Sequence, residues 1–409
     1  MSTAVGEGLW PCALDSRHSS SFDAALVKEP GSLVEQTGQR RTLLALGCYK
    51  VLFFVLAYLV VRLVPWWNAE EWPTLLHWPP VGAPTAISPF ATWDAAHYLR
   101  LASEGYQSGT NSCAFYPLWP FLIWLGAFVT RNLFWSGILL ANILSFAASW
   151  QFFKLVQERF GLRTAQRSLF VMLVMPGAIF FNFIYAESLF LLLLLLFFRF
   201  LHQNNYLGLA IASVLLPLTK AVGIFIVVPL FWHLYSQRRP AKEFAWLAAP
   251  MLGYFTYFYI MYHFTGNPFE GFDAQGFYPT QPSAERLIDL GGRLRALCAI
   301  SVFQGGTDAF VDRANFLVVA LSLPLVWRLD KTYFGFALFA GLVPAFSNSF
   351  WSYSRLMIIC FPVFIAFADA YERNKQFRGT KIIFWFYLTL ALSVQAYFLV
   401  LYLNFRWSS

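Results

Sequence analysis

Apolar runs recur along this chain from residue 43 to residue 403, each closed off by proline, tryptophan or a short basic cluster. That recurrence restricts the fold before any single residue is considered, because runs approaching roughly 20 apolar residues cross the hydrocarbon core of a bilayer as helices. Only 12% of the 409 residues are charged while 58% are hydrophobic, and a soluble domain carries about twice that charge. The chain therefore reads as an all-α polytopic membrane protein whose first partner is the lipid bilayer. The net charge of +8 would suit nucleic acid, but the basic residues lie in short clusters between apolar runs. That is the positive-inside signature of topology, and no nucleic-acid partner is expected.

Arg40-Arg41 precede the first run, 43–64, and set its start in the cytoplasm. Residues 1–39 scatter Gly, Ser, Glu, Lys and Pro without periodicity and lack an apolar signal core, so they read as a flexible cytoplasmic tail. Residues 40–409 then form a single transmembrane domain. Lys50 lies a turn or two inside the first run and is expected to snorkel back to the interface. The chain emerges at Pro65-Trp66-Trp67 into a first extracytoplasmic loop, 65–134, where prolines 73, 79, 80, 84 and 89 break any long helix. Within that loop, 116–130 is apolar but opens on Pro117 and Pro120. Counting it as a span would put Lys154, Arg159, Arg163 and Arg167 outside, so it is assigned as an interfacial or re-entrant helix.

The remaining spans fall near 135–153, 168–183, 188–202, 206–219, 221–236, 244–264, 309–327, 332–347, 356–371 and 382–403. With the first they make about eleven, and Arg238, Arg239, Lys242, Arg328, Lys331, Arg373, Lys375, Arg378 and Lys381 all land inside. A second large outside loop, 265–308, carries Glu285, Arg286, Asp289, Arg293 and Arg295 at spacings that suit a short surface helix. The cysteines Cys12, Cys48, Cys113, Cys298 and Cys360 show neither CxxC pairing nor metal-ligand spacing. Cys48 and Cys360 read as packing residues; Cys113 and Cys298 share one expected side without their spacing deciding for a disulfide.

Several runs are too short for a full crossing, which sinks their ends below the bilayer surface and opens a protected cavity. The outer ends carry Tyr185-Ala186-Glu187-Ser188, Thr219-Lys220, Thr265-Gly266-Asn267-Pro268, Gln275 and Ser352-Tyr353-Ser354-Arg355. They share a side with the polar stretch Trp93-Asp94-Ala95-Ala96-His97-Tyr98-Leu99-Arg100, where Asp94 is the only aspartate between residues 24 and 272. An acid at the mouth of a membrane cavity is costly unless it is solvated or used. Asp94 could accept the proton of an attacking hydroxyl; it would also cap a helix, and the two roles are compatible. Lys220 and Arg355 have no acid within four residues in sequence. They suit a phosphate leaving group, although snorkelling cations would look the same. Glu187 either pairs with Lys220 or takes a sugar hydroxyl. His97, a helical turn from Trp93, orients a substrate or packs among aromatics.

Trp93-Asp94 with Tyr98, Glu104-Gly105-Tyr106, Ala114-Phe115-Tyr116-Pro117 and Pro120 resembles the first-loop signature of the PIG-V family, the second mannosyltransferases of GPI-anchor synthesis and their bacterial relatives. The likeness continues in order through Pro176, Tyr185-Ala186-Glu187-Ser188-Leu189-Phe190, Lys220 with Gly223, Thr265-Gly266-Asn267-Pro268 with Gln275, and Ser354-Arg355 before Pro362. It covers most of the chain from about residue 40 onward. The resemblance implies a GT-C bundle with short interfacial helices in its first loop, and an integral-membrane inverting glycosyltransferase. The donor would be a polyprenyl- or dolichyl-phosphate sugar, typically mannose, used on the extracytoplasmic side. Carried over residue by residue, it makes Asp94 the first-loop acid, Glu187 the motif acid and Arg355 the late basic residue. Asp94 is then expected to be catalytic, deprotonating the acceptor, with Trp93, His97, Tyr185, Glu187, Lys220, Asn267, Gln275 and Arg355 substrate-binding. Family members usually carry Arg where this chain has Lys220 and Thr-Glu where it has Ala186-Glu187.

No cofactor is firmly expected, and a divalent metal has weak support because Asp94, Glu104, Glu187 and Asp273 are scattered in sequence. The acceptor, a glycolipid, glycan or protein, stays open. A bacterial cytoplasmic membrane is favoured over the endoplasmic reticulum. A transporter or flippase of a lipid-linked sugar is the alternative reading, which calls for an internal repeat that the chain does not show; a non-catalytic subunit of a mannosyltransferase complex is the third.

Overall fold

The computed structural model describes residues 33–64, 69–278, 288–298, 310–347 and 350–406. The expectations for residues 1–32, for Pro65-Trp66-Trp67, for Glu285 and Arg286 and for the Arg293 side chain lie outside the described residues. The chain divides into two compact units, up to Leu43 and from Leu44 onward. The described part of the first is the opening of helix α1 (Leu33–Leu63), where the Thr42 hydroxyl donates to Gly38 O at 2.9 Å.

The second unit is helical, as the apolar runs predict. After α1, short 3-10 turns at Ala69–Thr74 and Ser88–Ala91 lead into α2 (Asp94–Glu104), which stops at Gly105, φ +73°, a conformation glycine adopts without strain. The helix α3 (Leu118–Thr130) occupies the stretch assigned as interfacial. Its 13 residues extend about 20 Å, short of the roughly 30 Å hydrocarbon core. It turns back on α4 (Leu133–Phe160), whose start is capped by Asn132 Oδ1 accepting from Trp135 N at 3.1 Å. Gly126 makes the close approach possible: a Cβ there would lie 2.4 Å from Ser136 Oγ.

Next come α5 (Leu162–Val174), α6 (Glu187–Gln203), α7 (Tyr206–Leu215), α8 (Val227–Ser236) and α9 (Ala248–Thr265). Beyond them lie helices Leu290–Cys298, Phe310–Leu329, Lys331–Ser347, Tyr353–Ile359, Pro362–Asn374 and Arg378–Leu403. Among the described residues, five helices are long and apolar enough to cross a membrane: α1, α4, the stretch Ala241–Thr265, Phe310–Leu329 and Arg378–Leu403. The outer faces of α1 and of Arg378–Leu403 expose Val51, Leu52, Tyr58, Ile383, Trp385 and Phe386, apolar surface that suits lipid. The other expected spans are occupied by shorter helices. α6 is central and packs on α4 and α7; Phe190, Leu194, Phe197 and Phe198 bury its faces in the core.

Two expectations change. The run 356–371, taken as one span, is bent by 69° between Tyr353–Ile359 and Pro362–Asn374. Pro362 has no N–H to continue the helix, and it opens the second segment. Lys50 does not snorkel. Its ammonium reaches inward to Asn142 Oδ1 at 3.1 Å, Ser145 Oγ at 2.6 Å, Phe181 O at 3.2 Å and Asn182 Oδ1 at 2.6 Å. These four oxygens belong to α4 and to the stretch Met175–Ala186 between α5 and α6, a 3-10 helix (Pro176–Phe181) followed by a loop. Irregular backbone at such depth persists only where its polar groups are satisfied within the protein, and Lys50 does that for Phe181 O.

Candidate active site

The site grows from three interruptions of helical structure. The first precedes α2. Trp93 holds φ +56°, a region that costs a bulky residue about 1–3 kcal/mol, and its N–H donates to Leu76 O at 3.2 Å. His77 and Thr92 form an isolated antiparallel bridge beside it, so the residue before Asp94 is fixed on both strands of the loop. The second is the stretch Met175–Ala186, which delivers Glu187 as the first residue of α6, where the helix dipole favours a negative charge. The third is Ser352, φ +59°, before the helix that carries Arg355.

Arg355 joins them. Its Nη1 donates to Asp94 Oδ2 at 2.6 Å and its Nε to Glu187 Oε1 at 2.7 Å. Lys220 Nζ donates to the same Glu187 Oε1 at 2.8 Å. Asp94, Glu187, Lys220 and Arg355 thus form one chain of two acids and two bases drawn from four distant parts of the sequence. The guanidinium also lies over the rings of Tyr185 at 4.7 Å and Phe180 at 5.2 Å, a favourable stacking for Arg in a partly dry site. Tyr402 OH donates to Tyr185 OH at 3.3 Å and closes the wall behind it.

Buried charges persist when they are paired and hydrogen-bonded. Here the formal charges cancel, yet the acceptors are not all used. Glu187 is fully buried and its Oε2 has no hydrogen-bond partner among the described residues. Asp94 keeps a partly exposed side chain and accepts from Arg355 through Oδ2. A carboxylate with an unoccupied, reachable oxygen can take a proton from a hydroxyl brought to it, and two adjacent cations can stabilise an anion.

The other residues singled out in the sequence fall outside this chain of contacts. His97 is buried in α2, stacks on Phe115 at 4.5 Å, and bonds Ser112 Oγ through Nδ1 at 2.9 Å and Tyr278 OH through Nε2 at 3.1 Å. Burial pushes its imidazolium down to about 4, so it is neutral at physiological pH. Burial, and then the nearby Asp94 charge, pushes the Tyr278 phenol up. Gln275 Nε2 donates to Ala114 O at 3.4 Å, and Asn267 Nδ2 donates to Asp273 Oδ2 at 2.8 Å. The Gln275 contact, with Glu270 accepting from Gly109 N at 2.6 Å, ties the second loop to the first, while the Asn267 contact stays within the second. Cys113 and Cys298 are free thiols.

Among the described residues no group of three or more His, Cys, Asp and Glu side chains could hold a metal ion. The donor set at the cluster does not fit one either, because the Arg355 guanidinium occupies the place between Asp94 and Glu187 that a cation would take. One buried acid not singled out in the sequence, Asp312, bonds Ser354 beside Arg355. Its signal in the sequence is an acid inside the apolar run 309–327.

No family model and no curated protein sequence matches the chain. Among solved structures it is similar to the oligosaccharyltransferase of Archaeoglobus fulgidus in its apo form, at 14% identity over 88% of this chain and 56% of that one, with a TM-score of 0.46. It is similar to the same organism's AglB in complex with an inhibitory peptide and a dolichol-phosphate, at 12% identity over 91% of this chain and 56% of that one, TM-score 0.47. A third likeness is to ArnT from Cupriavidus metallidurans bound to undecaprenyl phosphate, at 14% identity over 86% and 70% of the two chains, TM-score 0.44. The chain spans little more than half the length of the oligosaccharyltransferase, 56%.

Proposed function

We propose that this protein is an inverting GT-C glycosyltransferase that moves a sugar from a polyprenyl- or dolichyl-phosphate carrier to an acceptor hydroxyl on the extracytoplasmic side of a membrane. The observation that carries the reading is the single charged chain Asp94–Arg355–Glu187–Lys220. It supplies one partly exposed acid, Asp94, beside two cations, which is the division of labour such a transfer needs. Asp94 takes the proton from the acceptor hydroxyl, and that oxygen attacks the anomeric carbon. The bond from that carbon to the carrier phosphate breaks, and the departing lipid phosphate collects its negative charge against Arg355 and Lys220.

Arg355 must exchange one of its carboxylate partners for the phosphate as the donor seats. Moving the guanidinium away from Asp94 frees the Oδ2 that it occupies, so the carboxylate is open to the acceptor hydroxyl once the donor phosphate holds Arg355. Mannose as the sugar rests on the ordered resemblance to the PIG-V family, whereas about eleven spans with the active site outside rest on the apolar runs and the sidedness of the basic clusters. A bacterial cytoplasmic membrane suits the compact chain.

The test is an assay of membranes carrying the protein, with radiolabelled polyprenyl-phosphate mannose, candidate acceptors and mass analysis of the product. Acceptor-dependent transfer of label with release of polyprenyl phosphate is the expected result. Movement of labelled lipid across vesicles without product would replace this reading with a transporter.

A further inference from the structure

Asp312 is a fully buried carboxylate on helix Phe310–Leu329, one residue type that an apolar membrane helix carries only at a cost. Its Oδ1 accepts two bonds, from Ser354 N at 2.8 Å and from Ser354 Oγ at 2.6 Å. The direction of the second is settled by Asn315, whose Nδ2 donates to the same Ser354 Oγ at 2.9 Å and leaves that hydroxyl its own proton to give to Asp312. The opposite side of Ser354 is closed as well. Its carbonyl oxygen passes Gly177 so closely that a Cβ there would lie 2.1 Å away. Ser354 is therefore held by its amide and hydroxyl on one face and by the turn Pro176–Phe181 on the other, and the next residue is Arg355.

We infer that Asp312 is a positioning residue for Arg355: by fixing Ser354 at the start of helix Tyr353–Ile359 it sets the register in which the Arg355 guanidinium reaches Asp94 and Glu187 together. The helix is only 7 residues long, too short to be stable by its own backbone bonds. A short element needs an outside hold, and a carboxylate accepting from both donors of one serine is a strong one. Charge at position 312 serves this hold only through its oxygen, so an amide that presents an oxygen in the same place keeps most of it.

The assignment of Arg355 as a phosphate-binding group rests on the proposed function, whereas its register can be read without any activity. Phenylglyoxal modification of the full chain in lipid nanodiscs, with peptide mass analysis, reports the reactivity of Arg355. Arg159, paired elsewhere, serves as the internal control. Losing both charge-assisted bonds in Asp312→Leu raises Arg355 reactivity by about tenfold or more, while Asp312→Asn stays within about threefold of the parent. Arg159 reacts alike in all three. Ser354→Ala, which keeps the backbone bond, gives an intermediate rise and carries the test if Asp312→Leu does not fold. Parent-like Arg355 reactivity in Asp312→Leu and in Ser354→Ala overturns the inference, as does a parallel rise at Arg159, which would mean general loosening. Binding of undecaprenyl phosphate to the same samples separates the two ideas. Weaker binding in step with Arg355 reactivity supports both, whereas raised reactivity with unchanged binding supports the positioning role and removes the donor-phosphate reading.

Discussion

Two arginine–aspartate pairs in this fold close at the same 2.6 Å, Arg355 with Asp94 and Arg159 with Asp330, and they are built differently. In the second, Asp330 has no oxygen left over. Its Oδ2 accepts from Arg159, and its Oδ1 accepts from Thr332 N at 2.7 Å, from Tyr333 N at 3.1 Å and from the Thr332 hydroxyl. Arg159 in turn bonds His202 at 2.9 Å and lies over the ring of Tyr333 at 5.0 Å. That pair caps helix Lys331–Ser347 and fastens the ends of α4 and α6 to it; both Asp330 oxygens and both Arg159 terminal nitrogens are committed. At Arg355 the same chemistry is left open, with Glu187 Oε2 unpartnered among the described residues and Asp94 partly exposed. A saturated ion pair holds structure, and an unsaturated one retains the capacity to bind and to take a proton.

Substitutions that treat the two pairs alike should give opposite results. Asp94→Asn keeps the shape and removes the base, and it is expected to lower transfer by about 10²–10⁴-fold with the thermal unfolding temperature unchanged. The matching change at Asp330 should leave the rate per folded molecule as it was. A single-turnover comparison of the two variants measures this, and a normal rate in Asp94→Asn would erase the distinction. Glu187→Gln leaves Lys220 and Arg355 without their shared charged acceptor; breaking a buried pair of this kind costs about 3–5 kcal/mol, so denaturant unfolding should show a loss of stability together with a loss of activity. Asp330→Ala removes a helix cap and one exposed-side ion pair, a loss of about 1–2 kcal/mol, visible in Tm and absent from kcat.

The smallest effect concerns the loop around the site. Burial lowers His97 to about 4, against an ordinary value near 6.5. Between those two values the unfolded chain binds a proton that the folded protein does not, so stability is level above pH 6.5 and falls as pH drops toward 4. His97→Gln should flatten the Tm profile over that interval. An unchanged slope in the variant would assign the acid sensitivity to another group.

Much of this was legible in the sequence because helices write themselves in periodicity and composition. The apolar runs announced nearly every helix, and Pro117 and Pro120 marked α3 as a separate short element. Of the four charged residues of the site, Glu187, Lys220 and Arg355 were visible as polar residues at the ends of apolar runs and Asp94 as the acid of a polar loop. Their joining was not, since Asp94 and Arg355 are 261 positions apart and no spacing rule links them. Lys50 was misread for the same reason: a lysine near a helix end snorkels by default, and only the positions of Asn142, Ser145 and Asn182 reveal a place for it inside. The bend before Pro362 was readable from the proline alone and was outweighed by the continuous hydrophobicity around it. His97, Asn267 and Gln275 show the opposite difficulty, because polar residues in a loop signal importance without saying whether they meet a substrate or hold the loop.

The central claim is that the open pair binds a lipid phosphate and the saturated pair does not. Measuring the dissociation constant of undecaprenyl phosphate for the purified protein in nanodiscs, with Arg355→Gln and Arg159→Gln compared against the parent, tests it directly. The account predicts binding weakened by about tenfold or more in Arg355→Gln and unchanged in Arg159→Gln. Equal affinities in all three proteins would contradict it.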